Sequence, residues 1–120
     1  MGIVYYSRYY EFFEAARTDM LREMGLAYSD FEASGYALPV IESHCKYFTG
    51  AKFDEMIIVK CDIFEKPKAR LKIEYEVLGE KSGEIIATGH TVHAFLNKKG
   101  RACRAPKHFL SIVSLHWEDK

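Results

Sequence analysis

Histidines, cysteines and two basic clusters are the side chains of this 120-residue chain best suited to metal, proton or anion chemistry. His90 and His93 stand three apart, and His44 precedes Cys45. Successive side chains of a strand point to opposite faces, so neither pair can converge on one metal ion. Each histidine is therefore read as structural, satisfied by its neighbours, and no metal site is expected. Cys45, Cys61 and Cys103 are odd in number and widely spaced, with no Cys-x-x-Cys pair to suggest zinc or redox exchange. They read as reduced thiols, which places the protein in the cytoplasm. Lys66-Pro67-Lys68 with Arg70 forms one basic cluster, and Lys98, Lys99, Arg101 and Arg104 form a second. Lysine plus arginine and aspartate plus glutamate each total 17, so no whole-molecule field attracts nucleic acid or an acidic membrane. An anionic ligand must be met by one of these clusters.

These groups need a scaffold, and the composition supports one. With 48% hydrophobic and 14% aromatic residues, the chain is rich enough for a single domain spanning 1–120 and too short for two. No run approaches the roughly 18 to 20 apolar residues that cross a bilayer, and no secretion signal opens the chain. Tyr9, Phe12, Phe13, Ala16, Met20, Leu21 and Met24 recur at helical spacing, predicting one long helix over 7–24. Ser7 is its expected N-cap and Gly25 its stop. Glu11, Glu14, Arg17, Asp19, Arg22 and Glu23 read as its solvated face. Ser29 with Glu32 has the form of a capping box, so a short helical turn closed by Gly35 is expected. Strands are expected over 38–47, 56–64, 70–77 and 84–96, with a short partner after Arg101. In 70–77 the alternation is clean: Leu71, Ile73, Tyr75 and Val77 face one side, Arg70, Lys72, Glu74 and Glu76 the other. The tail over 108–120 fits helix or strand. The fold class is α+β, an antiparallel sheet burying the helix's aromatic face.

The opening Gly2-Ile3-Val4-Tyr5-Tyr6-Ser7-Arg8-Tyr9-Tyr10-Glu11-Phe12-Phe13-Glu14-Ala15-Ala16-Arg17 strongly resembles the 4-hydroxybenzoyl-CoA thioesterase family. Glu42-Ser43-His44-Cys45-Lys46-Tyr47, Ile73-Glu74-Tyr75-Glu76-Val77 and Gly89-His90-Thr91-Val92-His93-Ala94 extend the resemblance almost to the end. It implies the hot-dog fold, in which a curved antiparallel sheet wraps one long central helix. It also implies an acyl-CoA substrate, no cofactor, and assembly as a homodimer or homotetramer.

The resemblance further implies that the thioester carbonyl rests at the start of the long helix, against the backbone amide of Tyr6. The first amides of a helix lack internal partners and carry the positive end of its dipole, so they stabilise an oxyanion. Gly2 lets the backbone pass tightly beside the acid, and Val4, Tyr5 and Tyr9 are candidates to touch the substrate. The aromatic run as a whole is expected to serve mainly core and dimer contact. Lys66, Lys68 and Arg70 resemble the grip on the nucleotide end of coenzyme A, with the second basic cluster as its rival. The family signature Asp-x-x-Gly-x-Val-Tyr puts its aspartate, as general base or nucleophile, three residues before Gly2 and so ahead of Met1. The expectation is a chain truncated at its N-terminus and weakly active alone. The opposing reading is a non-catalytic module that binds or scaffolds acyl thioesters. A hydratase of the same fold needs a histidine on the central helix, and this helix has none.

Overall fold

The computed structural model describes residues 8–26, 28–48 and 56–118. Helix α1 runs Arg8–Glu23 and buries Tyr9, Phe13 and Leu21, three rungs of one apolar stripe. It ends as a left-handed glycine dictates. Gly25 adopts φ 87°, its amide donates to the Arg22 carbonyl, and the Leu26 amide reaches back to the Leu21 carbonyl. Leu26 and Leu21 are both buried, which completes the apolar contact of this terminus. The expected cap Ser7 lies outside the described residues. Helix α2, Tyr28–Ala33, begins before Ser29, so that serine sits within the first turn and the anticipated capping box does not open the helix. Its closing glycine, Gly35, has φ 93° as expected.

Among the described residues five strands follow: β1 Val40–Tyr47, β2 Ile57–Asp62, β3 Arg70–Gly79, β4 Ile85–Leu96 and β5 Ala102–Cys103. They form an antiparallel sheet in the order β1-β4-β3-β2, with β5 paired to β4. The alternation of β3 is realised. Leu71, Ile73, Tyr75 and Val77 are buried beneath α1, while Lys72, Glu74 and Glu76 lie on the outer face. The tail resolves as α3, Lys107–Glu118. Phe109 and Val113, one turn apart, are buried, and Phe109 meets Phe95 edge to face at 5.2 Å. The chain therefore has a second multi-turn helix where periodicity left helix and strand open. One long helix wrapped by an antiparallel sheet is the hot-dog arrangement.

Two ends of this sheet matter for function. At one lie Val40, Arg70, the end of β4 and the loops over 63–69 and 97–101; at the other lie Tyr47, Ile57 and Gly79. Helix α1 runs antiparallel to β1. Tyr9 near its start packs on Tyr47 at 5.2 Å, and Leu21 near its finish lines a cavity with Leu38 and Val40.

Candidate functional site

Of the residues expected at the reaction centre, Gly2, Val4, Tyr5 and Tyr6 lie outside the described residues. Tyr9, expected to touch substrate, is only 1% exposed, its ring packed against Phe12 and Tyr47. Its place in the described structure is the core. Phe13, one turn on, is fully buried and stacks on Tyr75 with ring centroids 4.4 Å apart. Gly89 makes this approach possible. A Cβ there would lie 2.7 Å from the Phe13 ring and 2.6 Å from the His44 carbonyl oxygen, closer than atoms tolerate.

One turn beyond Phe13, Arg17 departs from the solvated face assigned to it. It is half-buried, and its guanidinium donates to the Tyr75 hydroxyl at 3.0 Å. From there a hydrogen-bonded chain crosses the interior: Tyr75 to Thr91 at 2.7 Å, Thr91 to His93 Nε2 at 2.9 Å, and His93 Nδ1 to the Leu38 carbonyl at 3.2 Å. Its ends fix its direction, since a guanidinium only donates and a carbonyl only accepts. Nδ1 of His93 must therefore carry the proton and Nε2 must accept from Thr91, which accepts from Tyr75, which accepts from Arg17. A second proton on His93 would leave one hydroxyl hydrogen without an acceptor. Burial acts in the same sense, with Arg17 adding to it against the pull of the Leu38 bond, and lowers the imidazole pKa to about 4. His93 is thus the satisfied structural histidine expected. The signal that could have found Arg17 was its spacing, four residues after Phe13 and eight after Tyr9, on the buried stripe.

Arg17 also lines a cavity of about 270 Å³ between α1 and the segment entering β1. Leu21, Leu38, Pro39 and Val40 supply its apolar wall, Glu14, Arg17 and Thr18 its polar side.

The two basic clusters, expected to compete from separate turns, share one end of the sheet. The Ala105 amide donates to the Lys68 carbonyl at 2.7 Å, drawing the chain after β5 against the 63–69 loop. Pro67 is buried and anchors that loop, while Lys66, Lys68, Arg70, Lys98, Lys99, Arg101 and Arg104 are all exposed. The result is a basic rim suited to phosphates.

On the outer face His44 and His90 pair across β1 and β4, their rings stacked with centroids 5.4 Å apart. Glu74 and Asp62 continue this row across β3 and β2, along a second cavity of about 310 Å³. Among the described residues, no three histidine, cysteine or acidic groups are placed to hold a metal ion. The cysteines carry free thiols, and burial pushes that of Cys61 up to about 12, which keeps it protonated and unreactive. No described helix is long and apolar enough to cross a membrane.

Residues 1–113 match the thioesterase-like superfamily. YneP of Bacillus subtilis, a putative acyl-CoA thioesterase, is 26% identical over 99 residues, 82% of this chain and 71% of its own length. The hypothetical protein TT1821 of Thermus thermophilus has a TM-score of 0.88 at 34% identity, covering 96% of this chain and 87% of that one. The DHNA-CoA thioesterase of Staphylococcus aureus has a TM-score of 0.85 at 27% identity, covering all 100% of this chain and 85% of the other.

Proposed function

Because the chain belongs to the thioesterase-like superfamily, we propose that it hydrolyses acyl-CoA thioesters to the free acid and coenzyme A. The family match over 1–113 carries this reading. Similarity to a DHNA-CoA thioesterase and to a putative acyl-CoA thioesterase supports the substrate class.

The thioester carbonyl sits at the start of the long helix, where the Tyr6 amide meets the developing oxyanion. Donors of this kind are worth on the order of 3 kcal/mol in the transition state. Val4 and Tyr5 flank the acyl group, and Gly2 lets the backbone pass beside the acid. In the family signature the acid is an aspartate three residues ahead of the glycine, and it acts on water or on the carbonyl carbon.

The working unit is a homodimer in the cytoplasm, built through β1. This strand is eight residues long, largely exposed, and pairs on one side with β4; among the described residues no strand meets its other edge. Val40 and Ile41 expose 45% and 44% of their surface there. An exposed edge of this length is a template for pairing with a second chain. Antiparallel pairing of two β1 edges about a two-fold axis sets the Tyr47 end of one copy beside the Val40 end of the other. Within one chain the helix start and the basic rim stand roughly 23 Å apart along β1. Across the two-fold axis, the helix start of one copy faces the partner's cavity and basic rim. The nucleotide end of coenzyme A is then gripped by Lys66, Lys68 and Arg70.

The test is thiol release from short- and medium-chain acyl-CoA esters by two forms, the 120-residue chain and one extended at its N-terminus so that an aspartate stands three residues before Gly2. Hydrolysis by the extended form, lost when that aspartate becomes asparagine and at least about 100-fold slower in the short form, is expected. Absence of coenzyme A release from every ester by the extended form refutes the proposal. Fast hydrolysis by the short form assigns the acid to another residue.

A further inference from the structure

The paired imidazoles on the outer face belong to no step of the hydrolysis proposed above. Parity keeps two histidines three apart on one strand from meeting, but antiparallel register sets histidines of facing strands side by side. His44 of β1 is the register partner of His90 of β4. Directly opposed residues of such a pair hold their Cβ atoms about 5 Å apart. Here the ring centroids are 5.4 Å apart and the ring planes differ by 22°.

That spacing suits a shared metal ion. Zinc takes imidazole nitrogen at about 2.0–2.1 Å in a tetrahedral shell. A ring nitrogen lies about 1.1 Å from its ring centroid, so two imidazoles on one such ion have centroids roughly 5.2 Å apart. Nearly parallel rings aim their nitrogens alike rather than at each other, and a turn about Cβ–Cγ makes them converge. This torsion is broad in histidine, and the exposed His44 has room to change it. The cavity of about 310 Å³ beside the pair admits the water that completes the shell. Its charge also favours a cation. Lys60 and Glu76 offset one another in its wall, while the carboxylates of Glu74 and Asp62 continue the histidine row.

We infer that His44 and His90 together bind one divalent transition-metal ion of the zinc class. The ion ties β1 to β4 on the face of the sheet remote from α1. Imidazole selects it over magnesium, which keeps to oxygen ligands. The two carboxylates act through charge and do not coordinate it. The site is independent of whether the chain hydrolyses thioesters, since it stands on the register and the ring geometry alone.

The experiment titrates the untagged 120-residue protein, freed of metal, with zinc chloride in a non-chelating buffer and follows heat and imidazole proton resonances. One zinc ion per chain binds with a Kd of about 100 μM or tighter. The resonances of His44 and His90 shift together, while those of His93, whose nitrogens are engaged by Thr91 and the Leu38 carbonyl, stay in place. With zinc at roughly 100 times Kd the thermal midpoint rises by about 5 °C or more. His44→Asn alters an exposed side chain and leaves the core intact, yet weakens zinc binding by about tenfold or more, as does His90→Asn. His108→Asn, on the exposed surface of α3, changes it by less than about twofold. The inference is overturned by a zinc Kd above about 1 mM, by unchanged affinity in folded His44→Asn or His90→Asn, or by resonances of only one of the two rings shifting. An equal response to magnesium chloride also overturns it, because the cation would then be held by the carboxylates.

Discussion

His90 and His93 lie three residues apart on β4, yet their surroundings share nothing. His93 faces inward, 1% exposed, between Thr91 and the Leu38 carbonyl, with its tautomer fixed by the groups at the two ends of a hydrogen-bonded chain. His90 faces outward over the groove, stacked on His44 and paired in register with Glu74. The odd spacing on a strand is the whole cause, since parity decides which face a side chain joins. The inner face is a close-packed interior in which every polar atom must have a partner. The outer face is open to water, which partners what the protein does not. Identical chemistry is thus held rigid on one side of the sheet and left adjustable on the other.

The largest expected effect breaks the inner face by volume. Phe13→Ala removes a fully buried ring from between Tyr75 and Gly89 and should cost about 4 kcal/mol of stability. Denaturant unfolding measures it through the midpoint at constant slope. A loss below about 1 kcal/mol would mean that α1 does not seat on the sheet through this contact.

A smaller effect isolates the polar chain. The pKa of His93 in the folded protein, about 4, lies below its ordinary value near 6.5, so between these values the unfolded chain binds a proton that the native one refuses. Stability contributed by neutral His93 is therefore complete above pH 6.5 and falls away as the pH drops toward 4. The loss should amount to roughly 2 kcal/mol after solvent screening is allowed for. Unfolding free energies across this window would show the slope in the intact protein and its disappearance in His93→Gln. Persistence of the slope in that variant would move its origin to another group.

How much of this was legible beforehand follows the range of the interactions. The burial of Tyr9, Phe13 and Leu21, the alternation of β3 and the opposite faces of His90 and His93 are set by periods of four and two residues, which a local pattern displays. Arg17 reads as solvated in sequence because its charge outweighs its spacing. Its position on the stripe was visible, but its hydroxyl partner lies 58 residues away. The two basic clusters read as rivals in sequence, and the antiparallel register of β3, β4 and β5 carries both to one end of the sheet. Likewise α3 is a helix because Phe109 and Val113 reach Phe95 and its neighbours, a tertiary reason that no window over the tail contains.

The smallest expected effect is the sharpest test of the contrast between the faces. His90→Ala removes a half-buried ring whose contact is His44, itself exposed, and leaves no interior cavity and no orphaned buried group. Water replaces what is lost, so stability should change by no more than about 0.5 kcal/mol, and the acid slope assigned to His93 should survive intact. A loss of 2 kcal/mol or more would show that the outer row of His44, His90, Glu74 and Asp62 is as tightly coupled as the inner chain. Parity would then sort these residues by face without sorting them by rigidity. Near-neutrality, together with a steep response at Phe13, would locate the rigidity of this domain between α1 and the concave side of the sheet, where Arg17 is held.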